Sequence, residues 1–215
     1  MSKLRLTSLT MTLDGYVAGP NQSLKDPLGE GFEQAHDWMT KTKAFREMHG
    51  ESGDGETGIN DDVQREMFEN IGAWIMGRNM FGGGPGPWRG EWKGWWGDNP
   101  PFHTPVYVLT HYAREPLVMQ GGTTFYFVTD GIESALEQAR EAARGKDVLI
   151  GGGANVAQQY LAAGLVDEIE LHVVPLLLGS GERLFDNVRG SDVRLEPVRT
   201  IEGPGVTHLK YRVVK

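Results

Sequence analysis

Three consecutive glycines, Gly151-Gly152-Gly153, stand between the buried run Val148-Leu149-Ile150 and Ala154-Asn155, where a helical pattern opens. Backbone amides in such a segment can approach a pyrophosphate closely, and the helix N-terminus adds partial positive charge. One glycine would suffice for a bare turn, so three favour a bound phosphate. The match to the dinucleotide fingerprint is partial. Val156 stands where its third glycine belongs, and Asp167, Glu168 and Glu170 follow at only an approximate ribose-binding distance. Ile75-Met76-Gly77-Arg78 repeats the logic at a second strand end, with a glycine and then an arginine able to meet a phosphate. Pairing of Arg78 with a surface carboxylate is the competing reading. Leu178-Gly179-Ser180-Gly181 is a third glycine turn after a buried strand. Two phosphate-seeking strand ends suit a dinucleotide.

The remaining chemistry is limited by what the chain lacks. It has no cysteine, which removes disulfides, thiolate nucleophiles and iron-sulfur ligation. Its six histidines show no metal spacing, so no metal site is expected, and no Gly-x-Ser-x-Gly elbow occurs. A net charge of −8, from 29 acidic and 21 basic residues, disfavours nucleic acid and anionic membranes as partners. No segment approaches the roughly 20 apolar residues of a membrane span, and Met1–Thr10 lacks a signal-peptide core. A cytoplasmic protein is expected.

The elements that must position these residues alternate. Lys3–Thr10 and Gly15–Ala18 read as strands around an Asp14-Gly15 turn, and Phe32–Met48 as a helix stopped by Gly50. The acidic, glycine-rich stretch Glu51–Gly58 reads as a mobile loop before a helix from Asp61 to Asn70, capped by Asn60 or Asp61. Strands follow at 73–77, 106–110 and 124–128, a helix at 132–143, a strand at 147–150 and a helix at 154–163. Such alternation implies a mainly parallel sheet with helices on both faces. Strand-like segments 193–201 and 206–214 flank Gly203-Pro204-Gly205, which predicts an antiparallel hairpin on the sheet edge. The 215 residues are expected to form a single domain, interrupted at 82–104 by a Gly/Pro-rich stretch with Trp88, Trp92, Trp95 and Trp96. These tryptophans can wall a pocket for a flat ring, form a satellite core, or make a dimer contact.

The set Met11-Thr12-Leu13-Asp14-Gly15-Tyr16-Val17-Ala18, Met76-Gly77-Arg78, Gly151-Gly152-Gly153-Ala154, Gly164-Leu165-Val166-Asp167-Glu168 and Pro175-Leu176-Leu177-Leu178-Gly179-Ser180-Gly181 covers nearly the whole chain. It resembles the reductase domain of bacterial riboflavin biosynthesis and its dihydrofolate-reductase-like relatives. The resemblance implies a three-layer α/β/α fold, NADPH as cofactor and a homodimer. It implies that Gly77, Arg78, Thr110, Gly151, Gly152, Gly153, Ala154 and Asn155 contact the cofactor, while Gly15, Gly179, Ser180 and Gly181 contact the substrate. Asp14 would protonate or orient a substrate nitrogen, although Asp before Gly is also ordinary turn chemistry, and Glu33 and Asp37 are alternative acids. Met80 stands where relatives often carry threonine, and the 85–103 insertion is absent from the shorter riboflavin reductases.

Three functions fit. The first is an NADPH-dependent reductase of a small pyrimidine- or pterin-like heterocycle, of the 5-amino-6-(5-phosphoribosylamino)uracil reductase type. The second is a non-catalytic nucleotide-binding or sensor protein on the same fold. The third is a true dihydrofolate reductase, for which His36-Asp37-Trp38-Met39 offers no recognisable acidic helix motif.

Overall fold

A computed structural model describes residues 2–51, 54–188 and 193–215. In chain order the elements are β1 (Leu4–Thr12), β2 (Tyr16–Ala18), a 3-10 turn (Glu33–His36), α1 (Asp37–Thr40), α2 (Lys43–Met48), α3 (Ile59–Phe68), β3 (Ile71–Gly77) and α4 (Arg78–Phe81). There follow β4 (Pro105–Leu109), β5 (Leu117–Val118), β6 (Thr124–Val128), α5 (Ile132–Ala143), β7 (Asp147–Gly152), α6 (Ala154–Ala162), β8 (Glu168–Val174), β9 (Glu182–Arg183), β10 (Arg194–Gly203) and β11 (Val206–Val214).

Nine strands form one sheet in the order β10-β11-β8-β1-β7-β3-β4-β6-β5. The strands from β8 to β6 run parallel, and the β10/β11 hairpin adds antiparallel to β8. The strand expected over Gly15–Ala18 is present as β2, but its antiparallel partner β9 and the antiparallel edge strand β5 are not anticipated from the sequence, because strands of two residues carry no periodic signal.

Alternation along the central strands sorts side chains to two faces. Ala73, Ile75, Tyr107, Val148 and Ile150 pack against α5 and α6, through Leu136, Ala139, Val156 and Tyr160. Trp74, Met76, Val106, Val108 and Leu149 point the other way. The crossover from β3 to β4 contains only the one-turn α4, too short to cover that second face. Residues 82–104, which form no helix or strand, cover it instead: Trp88, Trp92 and Trp96 pack against Phe81, Phe102, Phe125 and Phe127. This packing makes the stretch a satellite core.

The expected helix over Phe32–Met48 is broken into the 3-10 turn, α1 and α2. Thr42 is the cause. Its extended backbone ends α1, and its hydroxyl accepts from Phe45 N at 3.2 Å, as an N-cap does, while donating to Gln64 Oε1 at 2.7 Å. The second helix starts at Ile59 without a side-chain cap. The carboxylate of Asp61 is used instead by Ala44 N, at 2.6 Å, and Arg65, while Asn60 donates to Pro204 O across the fold. In the acidic loop, residues 52 and 53 lie outside the described residues. Glu56 pins the rest through backbone bonds with Lys41 and Lys43.

A polar layer separates β8 and β11 from α1 and α3. Trp38 donates its indole N–H to Thr10 Oγ1 and lies over His172 and His208. The two imidazoles meet Nδ1 to Nδ1 at 2.8 Å, and burial pushes them down to about 3 and about 4. One rung along, Lys210 stands among Glu66, Glu168 and Glu170 at 3.3, 3.1 and 3.9 Å.

Candidate functional site

The register of the parallel strands decides which loops meet. Thr12 pairs with Val174, Met76 with Gly152 and Gly77 with Leu109, so the C-terminal ends of β8, β1, β7, β3 and β4 line one rim in that order. The segments that leave it are those singled out in the sequence: 175–181, 13–15, 151–155, 77–78 and 110 onward. This is the edge where open α/β sheets bind ligands.

Asp14 occupies the β1 end. Its carboxylate accepts from Thr12 Oγ1 at 2.6 Å, from Gly179 N at 2.8 Å and from Leu178 N at 3.0 Å. The Thr12 hydroxyl, ahead of these backbone donors, holds the carboxyl at about 2, below its ordinary value. At that value Asp14 is ionised across the physiological range; its carboxylate accepts hydrogen bonds and ties the 178–179 loop to the β1 turn. Its folded value is depressed, so this anchoring is fully present above pH ~4 and is lost as pH falls toward ~2. Asp14→Asn is expected to speed amide exchange at Leu178 and Gly179 while leaving the pH profile of turnover between ~5 and ~9 unchanged in shape. Loss of an ionisation in that range would give Asp14 an acid-base role.

The glycines expected at the substrate sit around Asp14. Gly15 has φ +91 and its amide donates to Thr12 O, closing the turn. Tyr16 donates its hydroxyl to Gly179 O at 3.1 Å. Gly181 passes so close to β2 that a Cβ there would stand 2.1 Å from Ala18 O. Ser180 is exposed between them.

At the β7 end the three glycines do different work. A Cβ at Gly151 would press on Trp74, and Gly152 has φ +136 with Met80 Sδ 2.7 Å from its would-be Cβ. Gly153 has an ordinary φ of −90 and would meet nothing within 4 Å: its Cβ position is open space at the start of α6, which has no side-chain cap. The first-turn amides of Ala154, Asn155 and Val156 are those a helix start leaves without intrahelical partners. Asn155 itself is exposed and its Oδ1 accepts from Gln159. Val156, in the place of the missing glycine, packs its Cγ2 2.9 Å from where a Gly77 Cβ would be. Gly77 thus serves close packing of α6 on β3.

Arg78 does not project freely from the β3 end. Its Nε donates to Gly82 O at 3.1 Å and its Nη2 to Gly84 O at 2.9 Å, its guanidinium lies 3.1 Å from the centre of the Trp88 ring, and its Nη1 is buried with no partner. Surface pairing with a carboxylate is not its arrangement either: among the described residues none lies within 4 Å. Burial, then the charge of Arg114, lowers its pKa. Thr110 caps the β4 end, its hydroxyl accepting from Tyr112 N at 3.2 Å. Arg114, which no motif had marked, follows four residues on. Its guanidinium stands 5.0 Å from the same Trp88 ring, and its Nη1 is likewise buried and unpartnered. An arginine shortly after a buried strand was the only sequence signal for it. The alternative acid Asp37 is exposed and paired with Lys41 at 3.0 Å, on the wall of a cleft of about 390 Å³ between α1 and the β8 end, which Val174, Pro175 and Leu176 also line; Glu33 is exposed. Among the described residues no cluster could hold a metal ion, and no helix is long and apolar enough to cross a membrane.

A family model for the RibD C-terminal domain matches residues 4–208. The Bacillus subtilis protein YwjB is 20% identical over 191 residues, 86% of this chain and 84% of YwjB. YyaP of the same organism is 31% identical over 86 residues, 40% of this chain, so the match spans less than half of YyaP, 45%. A Shewanella sp. PV-4 structure assigned to riboflavin biosynthesis superposes with TM-score 0.61 at 19% identity, covering all of both chains. Dihydrofolate reductase from Enterococcus faecalis, complexed with NADP(H) and RAB-propyl, gives 0.55 at 14% identity over 99% of this chain and 97% of that one. At such identities these structures establish the fold, which is dihydrofolate-reductase-like.

Proposed function

The chain belongs to the RibD C-terminal domain family, a family of reductases, and on that premise we propose that it is an NADPH-dependent reductase of a small pyrimidine- or pterin-like heterocycle, of the 5-amino-6-(5-phosphoribosylamino)uracil reductase type. A cytoplasmic location and a homodimeric state belong to the same proposal. The observation that carries the cofactor is the open space at Gly153, in front of the uncapped start of α6 and one strand from a cation, Arg78, whose buried Nη1 lacks a partner. Unmatched donors around a cradle with no side chain fit a diphosphate better than a bare turn.

When bound, the reduced nicotinamide supplies hydride to the ring. The chain's own part is positioning. The 153–156 backbone and the α6 N-terminus would hold the diphosphate, Arg78 would face a further phosphate, and the loop anchored by Asp14 would border the nicotinamide and substrate. NADPH is expected to bind more tightly than NADH, and Arg78→Gln, which keeps a donor at the position of Nε for Gly82 but removes the charge, should weaken NADPH selectively by about 1–3 kcal/mol. Equal affinities for the two cofactors would overturn the NADPH assignment. Oxidation of NADPH with a panel of pyrimidines and pterins tests the substrate class; no turnover with any ring would overturn that.

A further inference from the structure

We infer that Arg114 and Trp88 join Arg78 in a site for a phosphate monoester dianion at the ends of β3 and β4, and that Trp88 is the positioning residue that gives the site its preference for adenosine phosphorylated at the ribose 2′ position. The inference rests on the NADPH reading above and assigns a role to the tryptophan-bearing stretch that the reading left unused.

Three observations converge. Two guanidiniums stand near one indole, at 3.1 and 5.0 Å from its centre, and the second also lies 5.2 Å from the Phe127 ring. Each has a buried Nη1 without a hydrogen-bond partner, and burial lowers the pKa of both, with Arg114 adding to the effect at Arg78. Among the described residues no carboxylate lies within 4 Å of either. Adjacent, desolvated like charges oppose each other unless an anion sits between them. The aromatic face offsets part of that cost, and an incoming dianion would offset more, because planar guanidiniums bind phosphate oxygens in pairs.

Trp88 couples the two arginines. It arises from the 82–104 stretch, where Arg78 grips the carbonyls of Gly82 and Gly84, and its Nε1 donates to Tyr112 O at 2.8 Å, two residues before Arg114. Trp92 and Trp95 fix the same region by donating to Phe81 O and Met80 O, at 2.9 and 2.8 Å. The stretch thereby clamps α4 and the segment after β4 at one spacing, which sets the distance between the two cations.

Calorimetric titration with adenosine 2′,5′-bisphosphate and with 5′-AMP reads the site without turnover. The wild type is expected to prefer the bisphosphate by at least about tenfold. Arg114→Gln and Trp88→Leu should each reduce that preference about tenfold or to nothing, with NADH affinity unchanged, and Trp88→Phe, which keeps an aromatic face but loses the bond to Tyr112 O, should give a smaller reduction. A preference left intact in folded Arg114→Gln and Trp88→Leu would overturn this inference alone. No preference in the wild type would overturn the NADPH assignment with it. Equal loss of AMP, NADH and bisphosphate in Trp88→Leu would reduce Trp88 to a structural role.

Discussion

Gly153→Val is expected to abolish NADPH binding, by at least about 100-fold or ~2.7 kcal/mol, while the protein stays folded. The prediction depends on differences among neighbouring glycines. Gly152 cannot carry the test: at φ +136, with Met80 Sδ 2.7 Å from its would-be Cβ, a valine would strain the backbone and the packing before any ligand arrived. Gly153 has an extended conformation that any residue adopts, and the space at its Cβ is empty. A side chain there meets no protein atom within 4 Å of its Cβ, yet would fill the space in front of the α6 amides where the diphosphate is placed. Gly153→Ala should give a smaller loss in the same direction. Circular dichroism and thermal unfolding check the fold, and titration checks the ligand. A folded Gly153→Val that binds NADPH normally would show that the three glycines are only a turn.

Lys210→Met should destabilise the protein by about 3–5 kcal/mol, as removal of one partner from a buried ion cluster does. The Lys210 ammonium is 13% exposed and stands between Glu168, at 12%, and Glu170, at 1%. Burial raises the Glu170 pKa; burial would also raise Glu168, but Lys210 and Lys3 hold it below its ordinary value. Without the ammonium both carboxyls should rise. A group raised in the folded state destabilises most at pH above its folded value, so the deficit should be largest near pH 8 and shrink toward pH 5 as the carboxyls take up protons. Urea unfolding of both proteins at the two values measures this. A deficit below about 1 kcal/mol, or one independent of pH, would refute the account.

Much of the architecture was legible because it depends on local order. Buried runs such as Val148-Leu149-Ile150 and the amphipathic Ile132–Ala143 state their own periodicity, and the hairpin is announced by Gly203-Pro204-Gly205. The Phe32–Met48 helix failed because a single hydroxyl, that of Thr42, found partners in α2 and α3 that outweighed an apolar pattern.

The sequence by itself determined the family, the mainly parallel sheet, and the glycine turns, because alternating strands and helices make parallel strands whose C-terminal ends share one rim; the order of the strands along that rim came only with the structure. Tertiary structure alone decided what the charged groups at that rim do. Asp14 is spent on amides 164 and 165 residues away, Arg78 is folded back onto Gly82 and Gly84, and Arg114 reaches the site through an indole from a different loop. A side chain's charge and donors can be read from its type, but whether they are satisfied depends on neighbours that only the packed chain supplies. The tryptophan-bearing stretch is the same case at a larger scale: its composition marked it as something to be buried, and only the short α4, which leaves one face of β3 and β4 uncovered, determined where.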